Sequence, residues 1–138
     1  MEPSILFYRI KYKISTFIDE IRHRAQRAKK GYSTRDVWDI DMWFIETMKP
    51  MLEEYLEHNC GYPDDEFDSE EEWNKVIKEM IWYLNEMDYQ KKADELFKKY
   101  GTFMPAEDKN IMDIYNECEE YKNHFFELFS KYFHCLWW

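Results

Sequence analysis

Residues equipped for chemistry are few in this chain of 138 residues, and they are seldom spaced to act together. Glu20-x-x-His23 has the interval of a helix-borne metal-ligand pair, but di-metal carboxylate sites need a second copy and further inward-facing carboxylates. Here the pair occurs once, and His23 falls opposite the apolar stripe of its helix, so no metal is expected. His58-Asn59-Cys60 and His134-Cys135 lack a second ligand pair at zinc-finger spacing and read as helix-end histidines beside partly buried thiols. Neither G-x-G-x-x-G nor G-x-x-x-x-G-K occurs, which removes the glycine loops that cradle phosphates. No local pattern supports a Cys/His or Ser/His nucleophile, whose members meet in space and not in sequence. Catalytic residues and cofactors are therefore not assigned, and the chain reads as a non-enzyme; a site assembled across helices ranks last among the readings.

The strongest candidate for ligand contact surrounds Gly31. Arg24, Arg27 and Arg35 flank the turn and can fork onto phosphate beside the N-terminus of the next helix. Tyr32 and Trp38 offer rings on which a base can stack. On a helical wheel, Asp41 lands in the middle of the second helix's apolar face. A carboxylate there is costly unless paired; Arg24, Arg27, Tyr32, Arg35 and Lys122 are the partners within reach. Three roles stay open for it: a buried salt bridge that fixes helix register, an acid in a polar ligand pocket, and an exposed acid beyond a frayed core. The six residues Arg24, Arg27, Tyr32, Arg35, Trp38 and Asp41 form the candidate ligand-binding set.

The elements that must position these residues are helices. Apolar residues recur at the helical period in four long segments and one short one, alternation at period two is missing, and glycine and proline are scarce. The reading is an all-α, compact bundle of four to five amphipathic helices with no β-sheet, in a single domain over residues 1–138. The helices are expected at roughly 4–30, 34–59 with a kink near Pro50, 70–88, 90–100 and 106–135. Ile10, Ile14, Phe17, Ile18, Ile21, Ala25 and Ala28 make the first stripe, which Gly31 ends. Ser33 with Asp36 reads as a capping-box variant opening the second helix, whose face is Val37, Phe44, Ile45, Met48, Leu52 and Tyr55. Ser69 with Glu72 opens the third, carrying Trp73, Val76, Ile77, Met80, Leu84 and Met87. The last is lined by Ile111, Ile114, Tyr115, Cys118, Phe125, Phe129, Tyr132 and Phe133. Trp43 and Trp82 sit off these faces, and the tail Leu136-Trp137-Trp138 is strongly apolar, so a second packed surface or a homo-oligomer is expected to cover them.

Charge narrows the partners. Residues 1–35 hold nine Lys/Arg and three Asp/Glu, whereas residues 36–138 hold ten and 26. Most of the surface would repel a duplex, so direct duplex binding is disfavoured. A small anionic ligand at the basic end, or a basic protein on the acidic part, fits better. Three dispersed cysteines without C-x-x-C suit a reducing compartment. With neither a secretory leader nor an apolar run long enough to span a bilayer, a cytoplasmic location without membrane attachment is expected.

The run Gly31-Tyr32-Ser33-Thr34-Arg35-Asp36-Val37-Trp38-Asp39-Ile40-Asp41 resembles the G-Y-S-x-x-D-x-W-x-x-D signature of a widespread family of small bacteriophage and prophage proteins. Gly61-Tyr62-Pro63, Trp73 and the aromatic close Tyr132-Phe133-His134-Cys135-Leu136-Trp137 extend the likeness, while Trp138 stands where an acidic residue is expected. The resemblance implies a phage accessory protein in the host cell cytoplasm, where evasion of host defence is the expected role. One reading is sequestration of a small anionic, nucleotide-like ligand. The alternative is direct inhibition of a basic, nucleic-acid-binding defence effector such as a CRISPR nuclease, by electrostatic mimicry of its substrate.

Overall fold

The computed structural model describes residues 3–137. Its regular structure is helical, as expected: α1 (Pro3–Lys30), α2 (Ile40–His58), α3 (Glu70–Glu86), α4 (Tyr89–Tyr100) and α5 (Ile111–Lys131), then a 3-10 turn over Phe133–Cys135. No strand occurs among the described residues. The chain divides into two compact units, Met1–Trp43 and Phe44–Trp138, where length alone suggested one.

In the first unit α1 closes at Gly31, which takes φ +82° and donates its N–H to the Arg27 carbonyl at 2.9 Å. Only glycine adopts this left-handed geometry without strain. Arg27, Lys29 and Lys30 crowd the last turn, where positive charge suits the negative end of the helix dipole. The stripe expected to be core is not buried: Ile10, Ile14, Phe17, Ile18 and Ile21 are 49–66% exposed. Amphipathy explains why α1 is a helix; it does not supply a surface to cover the stripe.

The second helix starts later than expected, at Ile40 instead of residue 34. Ser33 and Asp36 do make the reciprocal bonds of a capping box, with Ser33 N–H to Asp36 Oδ2 at 2.6 Å and Asp36 N–H to Ser33 Oγ at 3.4 Å. Those bonds close one isolated turn, which Asp36 N–H to Ser33 O and Trp38 N–H to Arg35 O complete. α2 then runs unbroken through Pro50 to His58.

α3 is the centre of the second unit. Trp73, Ile77, Met80 and Leu84, one stripe at helical spacing, have no exposure at all. Around them pack Ile45 and Leu52 from α2, Met87, and Phe125 and Tyr132 from the end of the chain. Removing each such side chain from water contributes roughly 1.5–3 kcal/mol. Ser69 Oγ accepts from Glu72 N–H, and Glu70, Glu71 and Glu72 face the positive end of the dipole, as the sequence indicated. Phe44 meets Phe125, Phe126 and Phe129 in ring contacts of 5.5–6.1 Å between centroids. A smaller cluster of Leu96, Ile114 and Cys118 joins α4 to α5. α5 begins at Ile111, not at 106, because Asn110 and Asp113 form the true capping box there. It ends at Lys131, short of the expected 135, and a 3-10 turn carries the chain on.

Candidate functional site

Around Gly31 the structure arranges the predicted arginines with acids. Arg27 grips Asp36 with two nitrogens, Nε lying 2.9 Å from Oδ2, and Asp36 is buried at 8% exposure. This fork, with the Ser33 amide behind it, holds the Asp36 carboxyl far below the usual carboxylate range. Glu20 accepts from Arg24 Nε and from Arg35 Nη1, each at 3.3 Å, and these two guanidinium groups lower its pKa. Thr34 N–H donates to Gln26 Oε1 at 2.8 Å, a further tie between α1 and the turn. Tyr32 is 46% and Trp38 84% exposed, so both rings face solvent.

Asp41 overturns one expectation. It is exposed in the first turn of α2, and the buried acid of the region is Asp36. Asp41 still shares the face of Ile45, Met48 and Leu52, but it lies in the first turn, one turn before Ile45, the first buried residue of α2. With α2 starting at Ile40, Asp41 suits the positive end of the dipole instead. Lys122, offered as its partner, pairs with Glu119 at 2.5 Å. Of the six candidate residues, Arg24 and Arg35 thus share Glu20 and Arg27 holds Asp36, Tyr32 and Trp38 are open rings, and Asp41 stands outside the ion-paired group. His23 Nδ1 is shielded from water and has no hydrogen-bond partner among the described residues. No group of three or more potential metal ligands occurs among the described residues.

Two cavities among the described residues of the second unit were not announced by the sequence. One, of about 550 Å³, is lined by Met48, Met51, Leu52, Phe129, Phe133 and Leu136 among others, and is largely apolar. The other, of about 670 Å³, opens beside the connection between α2 and α3 and includes Tyr55, Cys60, Tyr62, Asp64, Asp65, Glu70, Cys135 and Trp137 in its lining. Its wall is fixed from behind by Tyr55, whose hydroxyl accepts from the indole N–H of fully buried Trp73 at 3.0 Å. The same hydroxyl lies 3.5 Å from the Cys135 carbonyl and 3.4 Å from that of Trp137, which draws the end of the chain to α2. The rim is shaped by a turn in which Glu66 and Phe67 donate their N–H groups to the Pro63 carbonyl. Burial pushes the Cys135 thiol up, and the Asp65 and Glu66 charges add to the shift.

The Gly61-Tyr62-Pro63 turn and the acidic run were visible in the sequence, but nothing there placed residues 55, 60–65, 135 and 137 in one cavity. The apolar tail also behaves differently from expectation. Leu136 packs against the core while Trp137 stays 75% exposed, and Trp138 lies outside the described residues. Trp82, off its helix's apolar face, is half exposed and touches Tyr121 edge-on at 5.3 Å; Trp43 is half-buried. No helix among the described residues is long and apolar enough to cross a membrane. Compared with family models, curated proteins and solved structures, the chain matches none.

Proposed function

We propose that this chain is a non-enzymatic, phage-encoded anti-defence protein of the host cytoplasm that occupies the nucleic-acid-binding surface of a basic host defence effector. One observation carries the reading. Seven carboxylates fall between residues 64 and 72, every one exposed, with no lysine or arginine among them. The unit that bears them, residues 44–138, holds 23 Asp/Glu against ten Lys/Arg, and 19 of those acids are exposed. Among the described residues, the lysine–carboxylate pairs Lys92–Glu86, Lys99–Asp108, Lys109–Glu117 and Lys122–Glu119 lie elsewhere on the surface. A helical unit with so many exposed carboxylates attracts a basic groove over several ångströms and competes there with phosphate. The phage setting rests on the resemblance of the Gly31–Asp41 signature.

Sequestration of a small anion at Arg24, Arg27 and Arg35 is the weaker reading. The anion would have to compete with Glu20 and Asp36, which already accept from the three guanidinium groups. Exposed Tyr32 and Trp38 favour it, and the arginine pairs oppose it.

The test is competition. The chain should displace duplex DNA from a purified CRISPR nuclease, with association slowing steeply as ionic strength rises. The triple variant Glu66→Gln, Asp68→Asn and Glu71→Gln should compete less well. No displacement, or displacement indifferent to salt, refutes the proposal.

A further inference from the structure

Exposed acids alone make a solvated patch; the cavity beside the α2–α3 connection adds something that patch lacks. Three aromatic residues, Tyr55, Tyr62 and Trp137, and three carboxylates, Asp64, Asp65 and Glu70, line one concavity of about 670 Å³, with no lysine, arginine or histidine among the lining residues. That volume lies in the range of small-ligand sites, roughly 300–1,000 Å³. Aromatic faces attract cations through the ring quadrupole, and carboxylates at the rim supply the ion pair. A hard divalent metal demands about six or more oxygen ligands around one point, and no metal-competent cluster occurs among the described residues. An anion would meet only like charge.

We infer that this cavity binds an organic cation, a guanidinium or alkylammonium group, between the rings of Tyr62 and Trp137 and the carboxylates of Asp64 and Asp65. The inference rests on the reading of the chain as a binder of basic partners and makes it specific: an arginine or lysine side chain of the partner seats here. A free small cation has the same chemistry, and the two sources are separable by experiment.

The probes are N-acetyl-L-argininamide, its neutral isostere N-acetyl-L-citrullinamide, and a short peptide with one central arginine, each followed by NMR of the Tyr62 ring and the Trp137 indole. Saturable shifts of both with the arginine probe, about tenfold weaker binding of the citrulline probe, and about tenfold loss in Asp64→Asn/Asp65→Asn and in Tyr62→Leu are expected. Glu107→Gln, an exposed acid that does not line the cavity, should bind as the parent does. Tyr62 and both aspartates are exposed, so the variants should keep the parent's circular dichroism. Binding of the peptide alone at these residues supports the site and assigns it to a macromolecular side chain; equal binding of the free amide supports a small-molecule source. Equal affinity for the citrulline probe, shifts elsewhere only, or no saturation by either arginine probe overturns the inference. Cation binding without displacement of DNA from the nuclease would overturn the proposed function and leave this site standing. Displacement without cation binding would do the reverse.

Discussion

Replacing Tyr55 by Phe removes one oxygen and isolates one buried donor. Trp73 has no exposure, and its indole N–H has the Tyr55 hydroxyl at 3.0 Å as acceptor. A buried donor left without a partner costs about 1–3 kcal/mol. Tyr55 is itself partly exposed on the wall of the larger cavity, so water can approach, and about 1.5 kcal/mol is expected. The contacts to the carbonyls of Cys135 and Trp137, at 3.5 and 3.4 Å, are long for O–H donors and add little. The diagnostic is a double-mutant cycle with Trp73→Phe, which deletes the donor. In that background Tyr55→Phe orphans nothing and should cost less than about 0.5 kcal/mol, giving a coupling energy of about 1 kcal/mol. Urea unfolding of the four proteins by far-UV circular dichroism, at unchanged m, measures it. Equal effects of Tyr55→Phe in both backgrounds would refute the reasoning and detach the cavity wall from the core.

Two further outcomes follow from burial and charge. Phe17→Ala, in the half-exposed stripe of α1, should change stability by less than about 0.5 kcal/mol, whereas Ile77→Ala at the centre of α3 should cost about 2–5 kcal/mol; comparable losses in urea unfolding would mean that α1 is core. Asp108, hydrogen-bonded by Tyr100, the Lys109 amide and Lys99, has its pKa held down to about 2, and Asp36 is held lower still by Arg27. Both folded values lie below the unfolded ones, so these contributions are complete above about pH 4 and fade as pH falls through the acid range. A carboxyl NMR titration should show Asp108 rising toward the ordinary aspartate range in Tyr100→Phe, and an unchanged midpoint would contradict the assignment to that hydroxyl.

Much of the architecture was legible because helical amphipathy is a local property. The α3 stripe at Trp73, Ile77, Met80 and Leu84 and the caps at Ser69 and Gly101 each depend on residues within a few positions of one another. The reciprocal bonding of Ser33 and Asp36 was equally readable, but whether a cap opens a helix or closes a single turn depends on what else binds it. Arg27, nine residues away, claims the Asp36 carboxylate, and α2 waits until Ile40. Asp41 was misread because sharing a face with core residues does not bury an acid one turn before the first of them.

What the sequence alone determined was the helical class, the order of the helices, the segregation of charge and the stripe that became the core. Each follows from periodicity and composition, which tertiary contacts do not alter. The tertiary structure decided which apolar faces were covered, leaving that of α1 half exposed or more, and which acid was buried. It also decided that residues separated by about eighty positions share one cavity, held by the hydroxyl of Tyr55. The physical reason is that burial and concavity belong to pairs of surfaces, and a single helix encodes only one of the two.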